Sequence, residues 1–301
     1  MGLAWRLLAR ETMQARQDMI QHQLRARGVR DRDVLAAMQT VPREMFVAPA
    51  LAAHAYEDRP LPIGEGQTIS QPYIVALMTE ALGLVTSDRV LEVGTGCGYA
   101  AAVLAQIAER VYTIERKPKL AAEARDRLTG LRYGNIEVRC GDGTLGWAEH
   151  APYDAIIVAA AGPEVPVALC EQLEIGGRLV MPIENPHEQR LVRLTRLGPS
   201  EYRREELQPV MFVPLIGAQG FPDPERVAAH AIGQLCVGGD WACAHGDLAG
   251  LRDIAQRLAE QLSEPLHCEL VALADACHAD AEQAPERWEQ LKERVYRELH
   301  A

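Results

Sequence analysis

The 301-residue chain has no surplus of positive charge: 31 lysines and arginines face 42 aspartates and glutamates, a net charge of −11. Neutralising phosphates needs the opposite balance, so the composition argues against a nucleic-acid partner. A long apolar run is also missing. The N-terminal stretch MGLAWRLLARETMQ has no unbroken hydrophobic core, and neither a signal peptide nor a membrane span is expected. Cysteine spacing carries no repeat. Seven cysteines, an odd number, read as free thiols in a reducing cytoplasm rather than as a disulfide framework. Cys236, Cys243, His245, Cys268, Cys277 and His278 match no familiar zinc-ligand spacing, so no metal is expected. What remains is an ordinary globular composition, 48% hydrophobic and 24% charged, long enough for one large α/β domain and something smaller.

The most informative stretch is Asp88–Ala100, DRVLEVGTGCGYA. Val90, Leu91 and Val93 form the short apolar run of a buried parallel strand. A glycine turn follows at Gly94, Gly96 and Gly98, and the alanine-rich run from Tyr99 to Ala108 favours helix. Strand, glycine turn and helix make the first unit of a doubly wound sheet, where a ligand can lie against the backbone and the helix N-terminus. The glycines read G-x-G-x-G, not the G-x-G-x-x-G that clears a dinucleotide pyrophosphate. With Glu92 just before the turn, the pattern favours an adenosyl ligand without phosphates, S-adenosylmethionine. Glycines that merely close a tight βα turn would look the same.

The following units fit a doubly wound sheet. Val111–Ile114 reads as a second strand ending in Glu115, whose carboxylate can accept both ribose hydroxyls, with Arg116 beside it; capping the helix near Pro118 is the other use for Glu115. Ile136–Cys140 reads as a third strand, followed by Gly141-Asp142-Gly143. Asp154–Ala159 and Arg178–Ile183 read as a fourth and fifth, buried on both faces, and Gln189–Leu197 alternates like a half-exposed strand in an antiparallel edge pair. Upstream, residues 4–38 have a helical pattern broken at Arg27-Gly28-Val29, with Asp31 or Asp33 as the next cap. Pro60–Pro72, PLPIGEGQTISQP, reads as a long irregular segment, and such segments are more often functional than filler. Its polar cluster holds Gln67, Thr68, Ser70 and Gln71.

Several ordered motifs carry a resemblance. VPREMFV at 41–47, AYEDRPLPIGEGQTISQPYIVALMTEAL, VLEVGTGCGY, GDGTLGW, YDAIIVAAAGPEVP, QLEIGGRLVMPI and FVPLIG together resemble the protein-L-isoaspartate O-methyltransferases over roughly residues 13–217. The resemblance implies a class I S-adenosylmethionine-dependent methyltransferase fold and repair of damaged proteins: methyl transfer from S-adenosylmethionine to the free α-carboxylate of L-isoaspartyl residues, with D-aspartyl residues as a further acceptor. It makes Ser70 of the ISQP motif catalytically important, gives Asp142 the adenine amino group, and lets Gly143 leave room for the base. Thr68, Ser70, Gln71, Glu92, Gly94, Gly96, Cys97, Glu115, Arg116, Asp142 and Gly143 are thus the candidate donor-binding residues. The chain departs from the family pattern at Cys97 (usually serine), Ala100 (glutamine), Ala159 (threonine) and Gly162 (alanine). Loss of the hydroxyl at 159 bears on acceptor contacts more than on donor contacts. A carboxylate methyltransferase that tailors one dedicated peptide would share this chemistry.

Family members usually stop soon after FVPL, whereas this chain adds about eighty residues. Residues 1–221 are expected to form the catalytic domain and 222–301 an acidic, mainly helical extension, with Pro222-Asp223-Pro224 as linker. The extension holds 15 acidic and 7 basic residues, a balance of −8. Leu248, Leu251, Ala255, Leu258 and Leu262 predict one amphipathic helix, 266–277 a second, and Trp288, Leu291, Val295 and Leu299 a third.

Overall fold

A computed structural model describes residues 12–185 and 188–223, together with residues 272, 288, 290 and 291. The chain divides into two compact units, Met1–Phe221 and Pro222–Ala301. In the second, Trp288 and Leu291 are helical and buried. The helix predicted from Leu248 lies outside the described residues, and of the one predicted over 266–277 only Ala272 is described, helical and exposed.

The first unit is built on a seven-stranded sheet. Its strands are β3 (Arg89–Val93), β4 (Arg110–Glu115), β5 (Ile136–Cys140), β6 (Tyr153–Val158), β7 (Leu173–Glu184), β8 (Gln189–Arg196) and β9 (Tyr202–Val210), in spatial order β5-β4-β3-β6-β7-β8-β9. The first five strands of that order pair in parallel, while β8 runs antiparallel to both β7 and β9. Strand alternation sends Val90, Val111 and Ala155 into the core on one face, and Leu91, Tyr112 and Ile156 into the core on the other. Burial on both faces accounts for the continuous apolar runs. One edge belongs to β9, whose RREEL run was not expected as a strand; the charged block Arg203–Glu206 on that edge discourages pairing with another chain.

Helices α2 (Arg32–Thr40), α3 (Pro72–Leu82), α4 (Tyr99–Leu104), α5 (Pro118–Gly130) and α6 (Val167–Gln172) accompany the sheet, and α1 spans residues 12–18 and continues into the π-helical turn Met19–Leu24. Asp31 caps α2, accepting from the Asp33 and Val34 amides at 2.9 and 3.0 Å, as one of the two expected aspartates. The helix after the glycine turn is shorter than expected and stops at Leu104. The segment Pro60–Pro72 is not irregular throughout: β1 (Leu61–Gly64) and β2 (Gln67–Ile69) pair as a small antiparallel hairpin around Glu65 and Gly66, both at positive φ.

Candidate active site

Strand order reverses between β3 and β6, since the chain runs outward through β4 and β5 before returning to the other side of β3. In such sheets ligands bind at the carboxyl ends of the strands beside that switch point. There the structure has a cavity of about 840 Å³, counting space open to solvent. Val93 and Gly94–Cys97 line its floor, Ile114, Glu115 and Arg116 one wall, and Ala159 and Ala160 another. The β2 segment Gln67–Ser70 and the stretch Val213–Ile216 complete it, with Tyr99 and Ala100 from α4.

Backbone geometry explains the glycine turn. Gly94, Gly96 and Gly98 have φ of 97°, 54° and 89°, a region that a Cβ disfavours. The Gly94 and Gly98 amides are held by the Ile114 and Thr95 carbonyls, both at 2.8 Å. The Gly96 amide instead donates to Glu115 Oε2 at 2.9 Å, while Glu115 Oε1 accepts from the Lys117 amide at 2.9 Å. One buried side chain thus joins the first turn to the end of β4. A carboxylate has about four acceptor sites, so one remains on each oxygen. The ribose and helix-end uses of Glu115 are therefore compatible.

At the end of β5, Gly143 lines the cavity and Asp142 does not. A Cβ at Gly143 would overlap the Val93 Cγ1 methyl, so the close approach of these two segments requires glycine. Asp142 is largely committed to its own loop. Its Oδ1 accepts from the Thr144 amide and hydroxyl, at 2.9 and 2.7 Å, and Oδ2 from the Ala218 amide at 2.7 Å. One acceptor site is left. The same aspartate therefore holds the turn that closes the first unit, and a Cβ at Gly217 would strike its Oδ1.

Two further candidate residues, like Asp142, lie outside the lining. Gln71 turns away to donate to the Asp58 carbonyl at 3.0 Å. Glu92 is 1% exposed and accepts from the Thr113 hydroxyl at 2.5 Å, which itself meets the Thr95 hydroxyl at 2.6 Å. The reason is strand alternation: Val93 faces the cavity, so its neighbour faces away from it. Burial pushes Glu92 up to about 8, helped by the charge of Glu115 and opposed by the hydrogen bonds of Thr113 and Ala101. It braces the turn from beneath. Thr68, Ser70, Gly94, Gly96, Cys97, Glu115, Arg116 and Gly143 do share the one cavity. Burial raises the Cys97 thiol, as expected of an apolar wall.

Sequence reasoning assigned no site role to Val213–Ile216. This stretch is carried to the cavity by backbone bonds between distant segments, from Ala161 N to Val213 O at 2.8 Å and from Leu215 N to Ala161 O at 2.7 Å. Nothing local in VPLI signals it. Ala159, noted for its missing hydroxyl, does line the cavity. Among the described residues no cluster of three metal-ligating side chains occurs, and no helix is long and apolar enough to cross a membrane.

Sheet order, the glycine turn and its carboxylate define a class I S-adenosylmethionine-dependent methyltransferase. Residues 14–220 match the family described as protein-L-isoaspartate(D-aspartate) O-methyltransferase (PCMT), and the chain belongs to that family. It is 60% identical over 207 residues to protein-L-isoaspartate O-methyltransferase 2 of Pelobacter propionicus, covering 68% of this chain and 92% of that one. It is 57% identical over 208 residues to a protein-L-isoaspartate O-methyltransferase of Rhodopseudomonas palustris, covering 69% and 95%. Among solved structures it resembles a protein-L-isoaspartate O-methyltransferase at 30% identity and a TM-score of 0.62, over 73% of this chain and 70% of that one. A beta-aspartate methyltransferase (PCMT) from Plasmodium falciparum in complex with S-adenosyl-L-homocysteine gives 25% identity and a TM-score of 0.57, over 66% and 97%.

Proposed function

We infer that this chain transfers a methyl group from S-adenosylmethionine to the free α-carboxylate of L-isoaspartyl residues, and of D-aspartyl residues, in damaged proteins and peptides. The observation that carries the reading is the Glu115 carboxylate, buried at the glycine turn in the same cavity as Ser70. The residues fit the donor. Glu115 keeps an acceptor site on each oxygen for a vicinal diol, Gly143 lines the cavity without a side chain of its own, and Asp142, next to that lining, keeps one site for an amino group. When bound, the donor supplies a methyl carbon on positively charged sulfur, which a carboxylate oxygen can attack as the carbon–sulfur electron pair returns to sulfur.

The remaining work falls to the protein and is mostly positional. A carboxylate is already ionised at neutral pH, so no strong general base is required. Ser70 lines the cavity, and among the described residues no group hydrogen-bonds its hydroxyl. As a neutral donor it aims the acceptor oxygen without trapping it as an ion pair. The apolar side chains of Val213, Leu215 and Ile216 limit water at the reacting atoms. The ester formed then loses methanol to the neighbouring backbone amide, giving a succinimide that opens partly to normal aspartate.

On this reading residues 1–221 form the catalytic domain, and 222–301 an acidic, mainly helical extension beyond the family match. Seven cysteines without a repeated spacing support a reducing cytoplasm as the protein's location, and among the described residues Cys97, Cys140 and Cys170 are free thiols. Incubating the full chain with an isoaspartyl peptide and its aspartyl isomer tests the acceptor. Methyl incorporation into the first alone is expected. Equal incorporation into both, or into the aspartyl isomer alone, would point to a tailoring enzyme.

A further inference from the structure

Arg43, in the 3-10 turn Arg43–Phe46, is completely buried. Its Nε donates to the Ala55 carbonyl and its Nη2 to the Ser70 carbonyl, each at 2.7 Å, while the buried Nη1 has no hydrogen-bond partner among the described residues. The guanidinium carbon stands 4.7 Å from the Tyr99 ring centroid. The titratable groups facing it are Tyr99, Cys97 and Tyr56. Burial pushes Tyr99 up to about 12 and raises both Cys97 and Tyr56, so all three are neutral near pH 7. Among the described residues no carboxylate pairs with Arg43.

A buried cation without a counter-ion is costly, and arginine cannot escape the cost by giving up its proton. Packing alone would be served by an uncharged side chain of similar length. Ser70 and Tyr99 both line the cavity, so the charge stands directly behind the wall that carries the serine hydroxyl. An anion entering the cavity offsets the cost of the cation, and an uncharged molecule does not. We propose that Arg43 is the specificity-determining positioning residue of the acceptor site: it fixes Ser70 through its carbonyl, draws the acceptor in as a carboxylate, and loses its hold once methyl transfer has made an uncharged ester. The proposal rests on the reading of Ser70 as the residue that meets the acceptor.

The test uses the full chain saturated with S-adenosyl-L-homocysteine, titrated with an isoaspartyl peptide and with the same peptide bearing an α-carboxamide. Wild type is expected to prefer the carboxylate by roughly ten- to fiftyfold, the size of one charge pair acting across a layer of side chains. Arg43→Met should bring that ratio near one while S-adenosyl-L-homocysteine affinity stays within about threefold of wild type. Arg43→Lys should keep the ratio but lower kcat, because an ammonium cannot hold both carbonyls in the geometry of the guanidinium fork. An unchanged ratio in Arg43→Met overturns the proposal. If that variant does not fold, Arg43→Lys decides, since a ratio near one despite the retained charge also overturns it. A wild-type chain that binds neither peptide overturns the functional reading itself, a result distinguishable from the loss of discrimination alone.

Discussion

Glu115→Gln is the substitution on which the donor site can be measured most closely. The wild-type carboxylate receives one backbone amide on each oxygen, from Gly96 and Lys117, both at 2.9 Å. Glutamine has a single carbonyl oxygen, so its NH2 must face one of those N–H groups, and that charge-assisted hydrogen bond is lost. A bond of this kind contributes about 1.5–3 kcal/mol. That loss falls on the free and the bound protein alike and is read as stability; the donor separately loses one of two acceptors for its ribose hydroxyls, a bond of the same kind, so Kd should rise roughly ten- to hundredfold. Titration calorimetry with S-adenosylmethionine and S-adenosyl-L-homocysteine should show similar losses, because the ribose is common to both. Thermal melting without ligand should fall by only a few degrees. An S-adenosyl-L-homocysteine affinity within about threefold of wild type would refute the ribose role.

Three further outcomes follow from the geometry. Ser70→Ala should lower kcat/KM for an isoaspartyl peptide roughly hundredfold while leaving S-adenosyl-L-homocysteine affinity within about threefold, since misaiming the acceptor does not touch the donor. Gly143→Ala forces a methyl against buried Val93 and should cost about 1–3 kcal/mol of stability, read by denaturant melts, together with weaker adenosyl binding. Glu92, raised to about 8 in the fold, holds its proton from about pH 4.5 upward while the unfolded chain releases it. Stability should therefore fall as pH rises from about 4.5 to about 8 and then level off, and Glu92→Gln should flatten that part of the profile; a wild-type slope retained in the variant would assign it to other groups.

The first βα corner was legible because burial on both faces makes β3 an apolar run, and positive φ leaves glycine a chemical trace. Glu115 was legible from its place at the end of the second strand. The hairpin β1–β2 was not, because Pro62, Gly64 and Gly66 give a pair of very short strands the composition of a loop. β9 was hidden by the charges that protect an edge. Glu92 was misplaced through proximity to the turn, although the alternation visible in the sequence turns it away from Val93. Asp142 stands out in the sequence between two glycines, but its attachment to Ala218 across 76 residues could not be read locally. The same limit applies to Val213–Ile216, which reach the cavity only through long-range bonds to Ala161.

A crystal structure of the full chain with S-adenosyl-L-homocysteine tests the central claim most directly. The account predicts both ribose hydroxyls within hydrogen-bond distance of the Glu115 carboxylate, the adenine against Gly143, and the sulfur in the same cavity as the Ser70 hydroxyl. Density for the ligand away from the Gly94–Gly98 turn, or a ribose that leaves Glu115 untouched, would contradict it.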